Sequence, residues 1–335
     1  MVDEVHRSGW RRPLVIALCI YLGLSAAYLA TAPAEGLRGH SRYNHYALLA
    51  DAWLQGRLDL GGPPPAYTGN NDFARYEGKH YVTFPPFPAV LLLPVVAAAG
   101  SPERVRDAQF FLWLAGIGPA VLFLSLDRLR RRRRCRCSEL QSAALAVLFG
   151  LGTVYWFSAV QGTVWFAAHV VGVALAALYI LFSLEAAHPV LAGLTLGLAV
   201  ATRPTLGLAA PLFLFEAFRA ARLHRAAGLG GAWGALAGAD VDHLLRRVVA
   251  FVAPAASVVL LLMWHNRVRF GDPFEFGHRH LQIVWRHRIE RWGLFSTHYL
   301  GRNLAVVLAG LPFYSAKSGL QINGHGLALW LTSPF

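Results

Sequence analysis

The chain has 335 residues, 56% of them hydrophobic and only 15% charged, with a positive mean hydropathy. A soluble domain carries about 25% charged residues. Here long apolar stretches alternate with short charged clusters, which argues against an ordinary soluble α/β enzyme and fits helices that satisfy their backbone polar groups within lipid. The net charge of +13 superficially suggests a nucleic-acid binder, but the excess sits in loops, including seven arginines between Arg128 and Arg136. Basic loops beside apolar runs read as cytoplasmic anchors, so no nucleic-acid partner is expected.

In chain order, His6, Arg7, Arg11 and Arg12 precede an apolar run from Pro13 to Ala32. The stretch Ala30-Thr31-Ala32-Pro33-Ala34 resembles a signal-peptide cleavage site. The run nevertheless exceeds the ~7–15 apolar residues of a signal peptide and reaches bilayer-spanning length. It reads as an uncleaved first span with its N-terminus inside. Residues 33–83 form a long polar loop in which Tyr46, Leu49, Ala50, Trp53 and Leu54 recur at helical spacing, so 43–57 reads as an amphipathic helix on the membrane surface. Gly61-Gly62-Pro63-Pro64-Pro65 then breaks regular structure.

Residues 84–99 are apolar but contain Pro85, Pro86, Pro88 and Pro94. At roughly 1.5 Å per residue they fall short of a ~30 Å hydrocarbon core. Spans are expected at 108–126, 142–158, 164–183 and 248–264, with a Pro-interrupted pair at 190–202 and 205–217. The tail from 303 is apolar in patches and ends on a short run, Gly326 to Phe335, so residues 1–335 read as one transmembrane domain from which later helices are missing. The fold class expected is all-α: a polytopic membrane helical bundle with an amphipathic outer-face helix in its first loop.

Charge orients this bundle. If 84–99 fails to cross, both the arginine run at 128–136 and the linker 218–247 fall inside. Residues 33–107, the turn at Arg203-Pro204 and the loop 265–302 then fall outside. If 84–99 crosses, both arginine clusters are misplaced.

The outer loops carry the candidate chemistry. Asp51 and Asp72 are candidate bases, with Arg75, Lys79 and Tyr81 nearby in sequence. Such a carboxylate can take a proton from an acceptor hydroxyl while cations stabilise a departing phosphate. Arg203 sits at a break between two apolar segments, where an ionisable residue is a functional candidate. Arg267 and Arg269 open the basic loop 265–302, and the guanidinium fork suits phosphate oxygens. Solvated surface acids, snorkelling arginines and interfacial aromatic anchors are the plainer readings of the same residues. Cys19, Cys135 and Cys137 form neither a disulfide framework nor a metal spacing, and His278 and His280 are weak metal candidates.

Two segments of the first loop, Tyr46-Ala47-Leu48-Leu49-Ala50-Asp51-Ala52-Trp53-Leu54-Gln55-Gly56-Arg57-Leu58 and Gly78-Lys79-His80-Tyr81-Val82-Thr83-Phe84-Pro85-Pro86, resemble the first outer loop of GT-C superfamily membrane glycosyltransferases. The protein-mannosyltransferase and aminoarabinose-transferase-like group is nearest in style. Leu198 to Pro204 is similar to that group's apolar helix ending in Thr-Arg/Lys-Pro, and His265 to Gly277 to an Asn-x-x-Arg-Phe-Gly-x-Pro loop. The resemblance implies a GT-C-like helical fold in the bacterial inner membrane. It also implies a polyprenyl-phosphate-linked sugar as donor and inverting transfer on the outer face. No cofactor is firmly implied by it, and room is left for a divalent cation. One departure stands out: the group carries an acidic pair just ahead of its Tyr-rich motif, where this chain reads Arg42-Tyr43-Asn44-His45. Either Asp51 or Asp72 then serves as base, or the protein is no active transferase. The alternatives are a non-catalytic transporter or binding protein for a lipid-linked substrate, and a fragment inactive without its later helices. Membrane lipid is a partner in every case.

Overall fold

The computed structural model describes residues 2–228, 235–236, 238–283, 286–294 and 296–333. Helices dominate. In order they are α1 (Val2–Thr31), α2 (Ala34–Arg38), α3 (His45–Leu54), α4 (Phe87–Ala99), α5 (Asp107–Ala115), α6 (Ile117–Arg131), α7 (Glu139–Gly152), α8 (Val154–Gln161), α9 (Val164–Ser183), α10 (Pro189–Val200), α11 (Pro211–Ala226) and α12 (Val241–Phe270). Strands β1 (Phe73–Tyr76) and β2 (Lys79–Val82) form an antiparallel hairpin in the first loop, with Tyr76 opposite Lys79. Its two-residue tip, Glu77-Gly78, has positive φ at both positions (+47° and +77°), as a tight hairpin turn requires.

Four helical runs among the described residues are long and apolar enough to cross a membrane: Arg11–Thr31, Asp107–Arg131, Val164–Ala186 and Val241–Phe270. The pair α7–α8, bent by 61° across Thr153, makes a fifth if it counts as one span. The spans expected at 108–126, 142–158, 164–183 and 248–264 fall on these elements. The prolines at 84–99 give α4 only 13 residues, about 20 Å of helix.

Local chemistry sets the helix ends. Ser138 and Gln141 form a reciprocal capping box that starts α7, and Asp240 accepts the His243 N–H to start α12. Each satisfies a donor that the first helical turn leaves orphaned. Gly100 and Gly271, both with φ +73°, end α4 and α12 in the left-handed conformation, which glycine adopts without a Cβ penalty.

Helix α9 is the axis of the bundle. Val164, Ala168 and Val171 pack with Tyr46 and Leu49 of α3, Leu92 and Val96 of α4 and Phe73 of β1. At its other end Tyr179 packs with Leu196 of α10, Phe213 and Ala217 of α11 and Phe251 of α12. A third cluster joins Leu24 and Tyr28 of α1 to Phe123 of α6 and Tyr155 of α8, with the Tyr28 hydroxyl donating to the Gly150 carbonyl at 3.0 Å. The outward faces of α1 (Leu14, Val15, Leu18) and α12 (Val252, Leu260, Leu261) are exposed and apolar, as lipid-facing surfaces are.

Helices α10 and α12 meet at glycines that hydropathy does not mark. Gly193 and Gly197 are spaced Gly-x-x-x-Gly, and a Cβ at Gly193 would lie 1.9 Å from the Phe251 carbonyl oxygen. One at Gly197 would lie 2.9 Å from the Val258 Cβ. Small residues let the two backbones approach, the usual device where lipid offers no hydrophobic drive for helix pairing.

One expectation is corrected. The helix expected at 43–57 exists as α3, but it does not lie on the surface. Seven of its ten residues, His45 to Ala50 and Ala52, are buried. His45, Ala47, Leu48 and Ala52, which lie outside the apolar stripe, are buried as well, and Ala89, Leu92 and Val96 of α4 pack against the helix.

Substituting Gly193 with Val is expected to force α10 from α12 and to lower stability by about 1–3 kcal/mol, the usual cost of overpacking. Thermal unfolding in detergent micelles measures it; an unchanged midpoint would refute the close-approach account.

Candidate functional site

The two ends of the bundle differ in chemistry. At one end Arg134 makes a two-pronged contact with Glu216 (2.9 and 2.6 Å), and Arg219 joins the same carboxylate at 2.8 Å. Glu216 also accepts the Glu185 backbone N–H at 2.7 Å, while Arg128 and Arg132 reach the Glu185 carboxylate at 3.1 and 3.0 Å. This lattice ties the ends of α6, α9 and α11 together.

The opposite end holds the candidate site, whose centre is Trp165 in the first turn of α9. Its indole N–H donates to Asp72 Oδ2 at 2.9 Å, and its backbone carbonyl accepts from Arg203 Nη2 at 3.1 Å. An acid and a guanidinium 131 positions apart in sequence thereby meet at one residue. Asp72 has a φ of +61°, a left-handed conformation that Asp and Asn tolerate better than most residues. The turn before β1 sets this angle, and the Thr83 hydroxyl donates to the Asp72 carbonyl at 3.2 Å. Arg203 caps the break after α10 that Pro204 enforces. The same Nη2 lies 3.0 Å from His169 Nε2, one turn along α9 from Trp165.

Aromatic rings wall this centre. His45 stacks on Phe73 at 4.3 Å, Tyr43 meets Trp165 edge-on at 4.7 Å, and Phe84 lies 6.4 Å from Trp165. His45 Nε2 donates to the Asn71 carbonyl at 2.8 Å. Burial holds the His45 pKa below its ordinary value, against the opposing pull of hydrogen bonds to the Asn71 and Tyr43 backbone and of the Asp72 charge. Burial does the same to His278, against the charges of Glu275 and Asp72. Two donors stand out: the Tyr46 hydroxyl and Arg203 Nε are buried with no hydrogen-bond partner among the described residues. An unmet buried donor costs about 1–3 kcal/mol, which a bound acceptor would recover.

Arg269 joins from the end of α12. Buried, it donates to the Val82 carbonyl and lies over the rings of Tyr81 (5.6 Å) and Phe270 (4.6 Å). Val82 is one residue from Thr83, so the exit of β2 links Arg269 to Asp72. Neither Arg203 nor Arg269 has an acidic partner among the described residues, which leaves one half-buried and one buried positive charge without a neutralising acid there.

The other sequence candidates stand apart. Asp51 is about 9 Å along α3 from His45 and accepts from Gln55 Nε2 at 2.6 Å at the exposed end of that helix. Arg75 is exposed, because alternation along β1 turns Ala74 inward and Arg75 outward. Lys79, also exposed, pairs with Asp59 at 3.7 Å. Arg267 faces outward because two residues along a helix are about 200° apart, so it and Arg269 occupy opposite sides of α12. Tyr81 is buried beneath Arg269. Trp165, His45, Tyr46 and His169 were not picked out from the sequence; of these, His169 alone left a signal, as an ionisable residue within an apolar run.

An apolar groove of about 420 Å³ opens beside this centre, lined by Trp53, Phe87, Val90, Leu198, Leu261 and His265 among others. His265 Nδ1 lies 3.5 Å from Arg269 Nη1, and Ala201, also in the groove wall, is two residues before Arg203. Among the described residues no group of three or more His, Cys, Asp and Glu side chains could hold a metal ion. Comparison of the chain with family models, curated proteins and solved structures gives no match.

The two histidines make the site pH-sensitive. Their pKa values are depressed by folding, so the unfolded chain takes up protons first. Their stabilising contribution is full above about pH 6.5, the free-histidine value, and declines as pH falls below it. The unfolding temperature in detergent should therefore be level from pH 8 to 7 and fall towards pH 5, and His45→Gln should flatten that slope. An equally steep slope in the variant would remove His45 from this account.

Proposed function

We propose that this membrane protein is a GT-C-like glycosyltransferase that moves a sugar from a polyprenyl-phosphate donor to an acceptor hydroxyl, with Asp72 as the base. The observation that carries this reading is the meeting of Asp72 and Arg203 at Trp165, beside the unpartnered donors of Tyr46 and Arg203. The arginine-rich end faces the cytoplasm by the positive-inside tendency, so this centre faces outward in a bacterial inner membrane.

In the proposed reaction Asp72 accepts the proton of the acceptor hydroxyl as that oxygen attacks the anomeric carbon. The bond from that carbon to the phosphate oxygen breaks, and the phosphate leaves with the bonding pair as prenyl phosphate. Attack opposite the leaving group inverts the anomeric centre. Arg203 and Arg269, which have no acidic partner among the described residues, offset the growing negative charge from a half-buried and a buried position respectively. The indole N–H on Asp72 Oδ2 fixes one carboxylate oxygen and leaves the other for the acceptor. The apolar groove suits the prenyl chain, since its lining offers carbon surface and meets Arg269 through His265. Asp51 fits the base role less well, because Gln55 engages it at the exposed end of α3. No step requires a divalent cation.

The same unpaired cations also favour a second reading, a protein that binds the lipid phosphate without transferring a sugar. One variant separates the two. Asp72→Asn is expected to lower transfer by about 10²–10⁴-fold, the usual share of a general base, while retention of the lipid-linked donor stays near the unaltered level. Turnover by Asp72→Asn equal to that of the unaltered protein would remove Asp72 as base. Donor binding without transfer in either protein would favour the binding reading.

A further inference from the structure

The arginine-rich end contains a second concave site that the proposed reaction does not use. It is a pocket of about 450 Å³ lined by Arg219, Arg222, Leu223, Arg225, Ala226 and Gly238. Arg219, Arg222 and Arg225 recur every third residue, so successive turns of α11 bring them along one side of the helix. Their charges are poorly balanced. Arg219 meets Glu216 at 2.8 Å, but Arg134 already holds that carboxylate with two hydrogen bonds. The Arg219 Nε is buried and has no partner among the described residues. Arg222 and Arg225 have no acidic partner among them either. The neighbouring acid, Asp240, is occupied by His224 at 2.9 Å and by the His243 N–H at 3.2 Å.

Three guanidiniums thus face one pocket against a single shared carboxylate. Planar forks of this kind match the oxygens of a phosphate group. The rest of the lining selects among phosphates. Leu223 is 58% exposed, and Leu214 and Phe215, earlier on the same helix, are 44% and 62% exposed. A free phosphate or nucleotide gains nothing from that apolar surface, whereas an acyl chain covers it. Basic pockets at the cytoplasmic ends of membrane helices suit anionic headgroups for the same reason.

We infer that the Arg219–Arg222–Arg225 pocket at the end of α11 binds the phosphodiester headgroup of an anionic phospholipid from the adjoining leaflet. The lipid would bridge α11 to the bilayer beside the Glu216 lattice that joins α6, α9 and α11. The inference rests on the arginine-rich end alone and is independent of the chemistry at Trp165.

The full chain, purified in detergent, is offered phosphatidylglycerol, phosphatidylcholine or inorganic phosphate, and retained ligand is counted by native mass spectrometry. Phosphatidylglycerol should be retained and phosphatidylcholine should not. The double variant Arg222→Gln/Arg225→Gln should bind phosphatidylglycerol about 30-fold more weakly, at roughly a fivefold loss for each arginine near the membrane surface. Equal retention of the two lipids overturns the inference, as does a double variant that binds like the unaltered chain. Displacement of the lipid by inorganic phosphate at matched concentration shows a plain anion site instead of a lipid site. Because the two-lipid comparison uses the unaltered protein, the inference stays open to refutation even if the variant fails to fold.

Discussion

The candidate site depends on one side chain held from both ends. Trp165 gives its indole N–H to Asp72 and its backbone carbonyl to Arg203, so the first turn of α9 joins the β-hairpin loop to the break after α10. The pairing is indirect, and that matters chemically. A direct Asp72–Arg203 salt bridge would let each neutralise the other. Separated by an indole, the acid stays free to accept a proton and the guanidinium free to meet an anion, while both are held in place by hydrogen bonds of ordinary length.

The fold makes that arrangement possible by giving the two ends of the bundle opposite duties. At the arginine-rich end almost every acid is consumed: Glu185 and Glu216 are each shared between at least two arginines, and Asp127 is shared between Arg130 and Arg131. That end is a clamp. At the other end Arg203 and Arg269 have no acidic partner among the described residues, and they are held by carbonyls and ring faces. Sequestered cations satisfied by neutral partners keep most of their field, so they are suited to an arriving anion where a paired cation is not.

Much of the scaffold was legible in the sequence because a membrane span needs only length and uniform apolarity, and the runs near 108–126, 164–183 and 248–264 supply both. Short proline-bearing α4 was legible for the same reason in reverse. What escaped was anything decided by small residues. Ala47 and Ala52, off the apolar stripe of α3, are small enough to be buried and so hid that the helix is covered on more than one side, and Gly193 and Gly197 gave no sign of the backbone they approach. Within the site, Asp72 and Arg203 could be singled out because charge at a break in apolar sequence is costly. Arg75, Lys79 and Arg267 could not be separated from them without knowing which way a strand alternates or a helix face turns. Trp165 was hidden because a tryptophan at the end of a span looks like an interfacial anchor.

The most direct test of this account concerns the environment of a single nitrogen. With indole nitrogens labelled by ¹⁵N, the Trp165 resonance can be identified among the ten tryptophans by its loss in Trp165→Phe. The account predicts a slowly exchanging N–H whose shift moves when Asp72 becomes Asn. A rapidly exchanging signal that ignores the change at Asp72 would mean that the indole and the carboxylate do not meet, and the candidate site would lose its organising contact.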